Sequence, residues 1–161
     1  MKIVRVRLTD PEVSPLLADL HREYDARYGA GSGDTAYDVG AEEFDPPLGG
    51  FVVLLHEGQT VAGGGIRCFA PGTAEVKRMW TSPDFRRQGH ASTVLNALED
   101  FAAELGYARV RLETGYLQPE AIALYRSMGY ADIGNYGIFD SAFGFERELA
   151  PDAPALPALA V

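Results

Sequence analysis

The sequence predicts a mixed α/β fold, with one central, mostly antiparallel mixed sheet of about six to seven strands and helices on both faces. Three observations lead there. Apolar stretches at 51–55, 60–69 and 74–80, joined across Glu57 and Gly58 and across Pro71 and Gly72, read as three strands in a meander. The chain then alternates helical and strand-like patterns up to Tyr130. Two further strand-like segments close the chain. With 161 residues, 47% of them hydrophobic, there is enough material for one core, and residues 1–150 are expected to form a single domain.

Residues 2–8 alternate aliphatic side chains with Arg5 and Arg7, the period of a first strand. Ser14 and Pro15 form an N-cap and first-turn pair, and Leu17, Leu20, Tyr24 and Tyr28 then recur on one helical face until Gly29. Residues 29–47 are rich in Gly, Asp and Pro and carry Asp34, Asp38, Glu42, Glu43 and Asp45, which predicts a long surface segment with one short helix at most. After the meander a polar loop runs through Arg87. Ala91, Val94, Leu95, Leu98, Ala102 and Leu105 then keep helical spacing, with Gly106 as the stop. Residues 110–113 read as a strand. Pro119 opens a helix holding Ala121, Leu124, Tyr125 and Met128, and Gly129 supplies its left-handed end. Residues 131–136 and 142–149 read as the last two strands, the second with Phe143 and Phe145 on one face and Glu146 on the other. Residues 151–161, mostly Pro, Ala and Leu, are expected to be a poorly ordered tail.

A formal net charge of -9 is the wrong sign for a protein that neutralises nucleic-acid phosphates and the right sign for attracting cationic small molecules. No apolar run reaches membrane-spanning length, and residues 1–10 carry charges where a signal peptide has its apolar region, so the expected location is the cytoplasm, with no membrane partner. One cysteine, Cys68, excludes an internal disulfide framework. His21, His56 and His90 have no neighbours at metal-ligand spacing, so no metal is expected.

The chemistry concentrates at 75–92, where a predicted strand runs into Arg86, Arg87, Gln88, Gly89, His90 and Ala91 and then into the best-defined helix. Backbone N–H groups at a helix start have no intrahelical partner and sit at the positive end of the dipole, so they bind phosphate if the chain approaches closely. Gly89 and Ala91 allow that approach. Between residues 74 and 91, Lys77, Arg78, Arg86 and Arg87 outweigh Glu75 and Asp84, leaving a local charge of +2 in an acidic chain. A P-loop is disfavoured because no lysine and hydroxyl follow the glycine.

At these residues the chain resembles the GNAT acetyltransferase superfamily, whose signature is Gln or Arg, two residues, Gly, one residue, then Gly or Ala; Arg86 to Ala91 fits it. The resemblance covers residues 50–149 and implies acetyl-coenzyme A as co-substrate. It implies a pyrophosphate held by the loop Arg86, Arg87, Gln88, Gly89, His90, Ala91 and Ser92, chiefly through its backbone amides. It further implies a sheet splayed between the fourth and fifth strands, with backbone at Met79, Trp80 and Thr81 meeting the pantetheine arm. The side chains of Met79 and Trp80 read equally well as core.

An alkylammonium group with a pKa near ~10.4 costs on the order of 4–5 kcal/mol to deprotonate at neutral pH, so a general base is useful. Glu75 lies eleven residues ahead of Arg86, where protein-lysine members of the family keep a glutamate base, though it also reads as a strand glutamate paired with Lys77 or Arg109. Glu113 is the second candidate. Leu124 and Tyr125, followed by Gly129 and Tyr130, resemble the family's helix bearing the tyrosine acid, which makes Tyr125 the candidate donor to the leaving thiolate. Seven residues earlier the family commonly has an asparagine on the cofactor's arm, and here Gln118 stands in its place.

The expected reaction is therefore N-acetyl transfer to a small-molecule primary amine. A protein or peptide acceptor, or a non-catalytic acyl-coenzyme A sensor, are the alternatives. The acidic segment 34–45, with Glu113 and Tyr136, reads either as a mouth for an ammonium group or as a solvated charge run. Dimers are common in the family, and residues 139–145 read as either a homodimer interface or an edge strand.

Overall fold

The computed structural model describes residues 1–30, 40–115, 118–137 and 142–149. The expectations at Asp34, Asp38, Phe139 and the tail lie outside these residues. Strands β1 (Lys2–Val6), β2 (Gly50–His56), β3 (Gln59–Ala70), β4 (Thr73–Thr81), β5 (Arg109–Gly115), β6 (Ala131–Asp132) and β7 (Ala142–Glu148) form one sheet in the order β1-β2-β3-β4-β5-β7-β6. Every neighbouring pair is antiparallel except β4 and β5. That exception follows from the helix α2 (His90–Glu104), which carries the chain back across the sheet between those two strands. Helices α1 (Ser14–Tyr28) and α3 (Pro119–Ser127) complete the described elements. None of the described helices is long and apolar enough to cross a membrane.

Alternation along β2 divides the core. Val52 and Leu54 face Val94, Leu95 and Leu98 of α2, in a cluster that also takes in Val110, Leu112, Tyr125 and Phe145. Phe51 and Val53 face the other way, against Leu16 and Leu20 of α1 with Val13, Phe44 and Trp80. Helices therefore cover both faces of the sheet. Phe44 is a core residue despite its acidic surroundings: it sits on a 3-10 turn, Ala41–Phe44, and is 1% exposed. Burying a Phe stabilises by roughly 1.5–3 kcal/mol, enough to pin the end of the long segment to the sheet. It rests where β3 has Gly65, whose Cβ would lie 2.6 Å from the Phe44 ring.

Two elements differ from expectation. Ser14 is the first residue of α1 and its predecessor Val13, ending a 3-10 turn, is already helical, so the helix has no side-chain cap. The strand expected over 131–136 shortens to β6, because Gly134 at φ 74 turns the chain off the sheet.

Behind the sheet, Arg147 of β7 binds Glu99 of α2 at 2.9 and 3.1 Å. Burial raises the Glu99 carboxyl pKa, and the charge of Arg147 offsets part of that. A carboxyl whose folded pKa is raised holds its proton more tightly in the native state, so stability falls as pH rises from the ordinary ~4.3 through the raised value. Glu99→Gln is expected to flatten the dependence of the urea midpoint on pH in that window; an unchanged slope would assign it to other groups.

Candidate active site

Strands β4 and β5 pair only at Thr73–Arg109, Ala74–Val110 and Glu75–Arg111, although β4 runs on to Thr81 and β5 to Gly115. Beyond Glu75 they part. The divergence is reinforced in β4 by a register shift against β3, where Gly63 faces Trp80 but Gly65 faces Lys77, with Arg78 in the left-handed region at φ 60. Between the parted strands lies a cavity of about 790 Å³, lined by Val76 to Thr81 on β4, Glu113 to Gly115 on β5, Leu20, Glu23, Tyr24 and Arg27 of α1, and Glu120, Ala121, Leu124 and Tyr125 of α3. That size suits a small-molecule site.

One end of the cavity is the loop leading into α2. Phe85, Arg86, Arg87, Gly89, His90, Ala91 and Ser92 line it. Thr93 is the first intrahelical donor, bonding the Gly89 carbonyl at 3.1 Å, so the amides of His90, Ala91 and Ser92 precede the helical ladder. Arg87 at φ 62 and Gly89 at φ 80 are both left-handed and curve the backbone into a concavity of the kind that backbone amides use to hold anions. Gly89 is the N-cap residue of α2, and no atom lies within 4 Å of the place its Cβ would take. Arg86 points elsewhere: Nε donates to the Thr81 carbonyl at 3.0 Å, and the guanidinium is paired with Glu23 of α1. Gln88 is exposed and outside the lining. The His90 Nε2 is buried and meets no partner among the described residues, its ring 6.3 Å from that of Phe85.

Deeper in the cavity, Tyr125 packs against Phe145 with ring centroids 5.8 Å apart, and burial, with Tyr24 nearby, raises its pKa. The phenol therefore stays protonated at any working pH. Gln118, the residue before α3, accepts from Thr114 Oγ1 at 2.8 Å and from the Gly115 amide at 3.1 Å through its side-chain oxygen. Gln118 also lines the cavity. Glu113 lines the cavity from β5, its carboxylate against Gly137, where any side chain would collide with it.

Glu75 is placed differently. It sits at the last paired position before the strands part, is 4% exposed, and is outside the cavity lining. One of its oxygens takes Arg67 at 3.0 Å, with Lys77 at 3.8 Å, and the other accepts the Tyr136 hydroxyl at 2.7 Å. Arg67 in turn pairs with Glu43 at 2.6 Å. Its guanidinium pKa is raised: burial lowers it, but the bonds to Glu43 and Glu75 outweigh that. Tyr136 is raised too, first by burial and then by Glu75 and Glu113. Of the partners expected from sequence, Lys77 is there; Arg109 instead pairs with Glu148 at 3.0 Å.

The structure thus brings Met79, Trp80, Thr81, Arg86, Arg87, Gly89, His90, Ala91, Ser92, Glu113, Gln118 and Tyr125 into one cavity. Sequence reasoning missed Glu23 and Arg27, which share a helical face with Leu20 and Tyr24; the spacing signals the face but not the partners across it. Among the described residues, five of the chain's 14 lysines and arginines line this cavity, with three of its 23 acidic residues. The field there is that of an anion site. No group of three or more His, Cys, Asp or Glu among the described residues gathers as a metal site.

The model of the Acetyltransferase (GNAT) family matches residues 17–130. The uncharacterized N-acetyltransferase YjgM of Escherichia coli (strain K12) is 33% identical over 152 residues, covering 84% of this chain and 89% of that protein. A solved protein of Klebsiella pneumoniae, provisionally assigned as an acyl-CoA N-acyltransferase, superposes with a TM-score of 0.76 at 26% identity over 92% of this chain and 97% of its own. An aminoglycoside 6'-N-acetyltransferase solved with coenzyme A shares the fold, with a TM-score of 0.69 at 18% identity over 94% and 98%. With a splayed sheet, an amide-lined loop at α2 and these relatives, the chain belongs to the GNAT family and is an acyltransferase.

Proposed function

We propose that the protein transfers an acetyl group from acetyl-coenzyme A to the primary amine of a small molecule, by direct attack with both reactants held in the cavity. The observation that carries this reading is a single cavity with an amide-lined, cationic end at α2 and a carboxylate and a protonated phenol deeper in. When bound, acetyl-coenzyme A supplies an electrophilic thioester carbonyl. The residues at hand fit it: the amides of His90, Ala91 and Ser92 suit a pyrophosphate, Arg87 adds charge, and the NH2 of Gln118 suits a carbonyl on the arm.

Glu113 takes the proton of the ammonium group, directly or through water, and so frees the nitrogen lone pair. The amine nitrogen bonds the acetyl carbon as the carbon–sulfur bond breaks. Tyr125 donates its O–H to the departing sulfur. An ordinary phenol is a weaker acid than a thiol by about 1.5 pKa units, about 2 kcal/mol, and burial widens the gap. Tyr125 therefore stabilises the thiolate as a hydrogen-bond donor, and the thiol proton comes finally from the amine through solvent. Cys68 is outside the cavity lining, its Sγ 3.7 Å from the Ala70 carbonyl, which fits transfer without an acyl-cysteine.

The test is free-thiol release from acetyl-coenzyme A across a panel of primary amines. Amine-dependent release supports the reading; binding without release from any amine favours a sensor and rejects it. In the same assay Tyr125→Phe, which keeps the packing on Phe145, is expected to lower kcat by about ten- to a hundredfold, the range of one hydrogen bond to a charged atom, with little change in KM. Unaltered kcat would remove Tyr125 from the chemistry.

A further inference from the structure

The cationic lining of the cavity exceeds what the loop at α2 accounts for. Arg86 and Arg87 lie beyond the end of β4, at the loop, Arg27 pairs with Glu120 at 2.8 Å, and the Arg78 guanidinium lies over the Phe44 ring, 5.0 Å from its centroid. Lys77 lies on β4 itself, two residues past the last position paired with β5. Glu113 lies two residues past the same position on β5, so by strand alternation Lys77 and Glu113 line the cavity from the two parted strands on the same side of the sheet. Among the described residues Lys77 pairs with Glu75, at 3.8 Å, through an oxygen that Arg67 already holds at 3.0 Å. The positive charge at Lys77 is thus shared with a carboxylate committed elsewhere.

We propose that the acceptor is an amine bearing a carboxylate close to its nitrogen, an α-amino acid, with the ammonium group at Glu113 and the carboxylate at Lys77. The proposal rests on the acetyl-transfer reading above. It explains why a chain of net charge -9 keeps a lysine at the mouth of the splay: the carboxylate orients the acceptor and leaves the nitrogen on the Glu113 side. A simple alkylamine would satisfy Glu113 alone.

The test uses the full-length protein, saturating acetyl-coenzyme A, and L-amino acids each paired with the corresponding carboxamide, followed by thiol release. The acid is expected to exceed its carboxamide by about ten- to a hundredfold in kcat/KM. Lys77→Met should erase that preference by raising KM for the acids, while the carboxamides stay within about twofold and the calorimetric Kd for acetyl-coenzyme A is unchanged, a check that the variant folds. Carboxamides equal to the acids, or a Lys77→Met variant that slows both alike, would overturn the proposal and leave amine acetylation standing. Bound acetyl-coenzyme A with no release from any amine removes the parent reading and this one with it.

Discussion

Gly89→Glu is expected to weaken acetyl-coenzyme A binding by at least about a hundredfold, about 2.7 kcal/mol, in a calorimetric titration. The space above Gly89 is open, so a glutamate side chain enters it without displacing protein. It would bring a carboxylate to the amides of His90, Ala91 and Ser92 and occupy the concavity with the wrong occupant. The backbone there is left-handed at φ 80, which costs a non-glycine residue roughly 1–2 kcal/mol. Arg87, in the same loop at φ 62, shows that the fold tolerates such a residue. Gly89→Ala separates the two effects, because it carries the strain without the charge and is expected to retain most of the affinity. If Gly89→Glu binds as well as the native protein, the loop is not the anion site.

Glu113→Gln is expected to lower kcat at neutral pH by about 10²–10³, the usual contribution of a positioned base. The deficit should shrink as pH rises toward the amine's own ~10.4, since the fraction of free amine then grows about tenfold per unit without help. Glu75→Gln is the comparison. It breaks a buried pair with Arg67 and so loses stability, readable in the urea midpoint, while kcat changes less. The reverse pattern, with Glu75→Gln slow and Glu113→Gln unaffected, would move the base to Glu75 and require a water path from the cavity to it.

The parts of the fold that follow from local rules were readable from the residues alone. The meander of β2, β3 and β4, the stop of α2 at Gly106 and the loop from Arg86 to Ala91 depend on turn chemistry and periodicity, which a short window contains. What failed depended on register between distant segments. Phe44 sits among acids, and only the gap at Gly65, a score of residues away, makes it a core residue. The sequence points to partners for Glu75 on β4 and β5, but Arg67 comes from β3 and Tyr136 from the stretch after β6. Glu113 and Tyr125 share the cavity because β4 and β5 part after Glu75, a distance rule that no window along the chain encodes.

Arg86 opens the family signature, yet its guanidinium is spent on Thr81 and Glu23. It ties the end of β4, the loop before α2 and the flank of α1 into one corner. The loop therefore adopts its curved shape before any ligand arrives, and its conformational entropy is lost on folding, not on binding. Ligand entering such a corner finds the amides already aimed, so the free energy of each new contact appears as affinity. On the acetyl-coenzyme A reading proposed above, the arginine would strengthen capture by preorganising the loop.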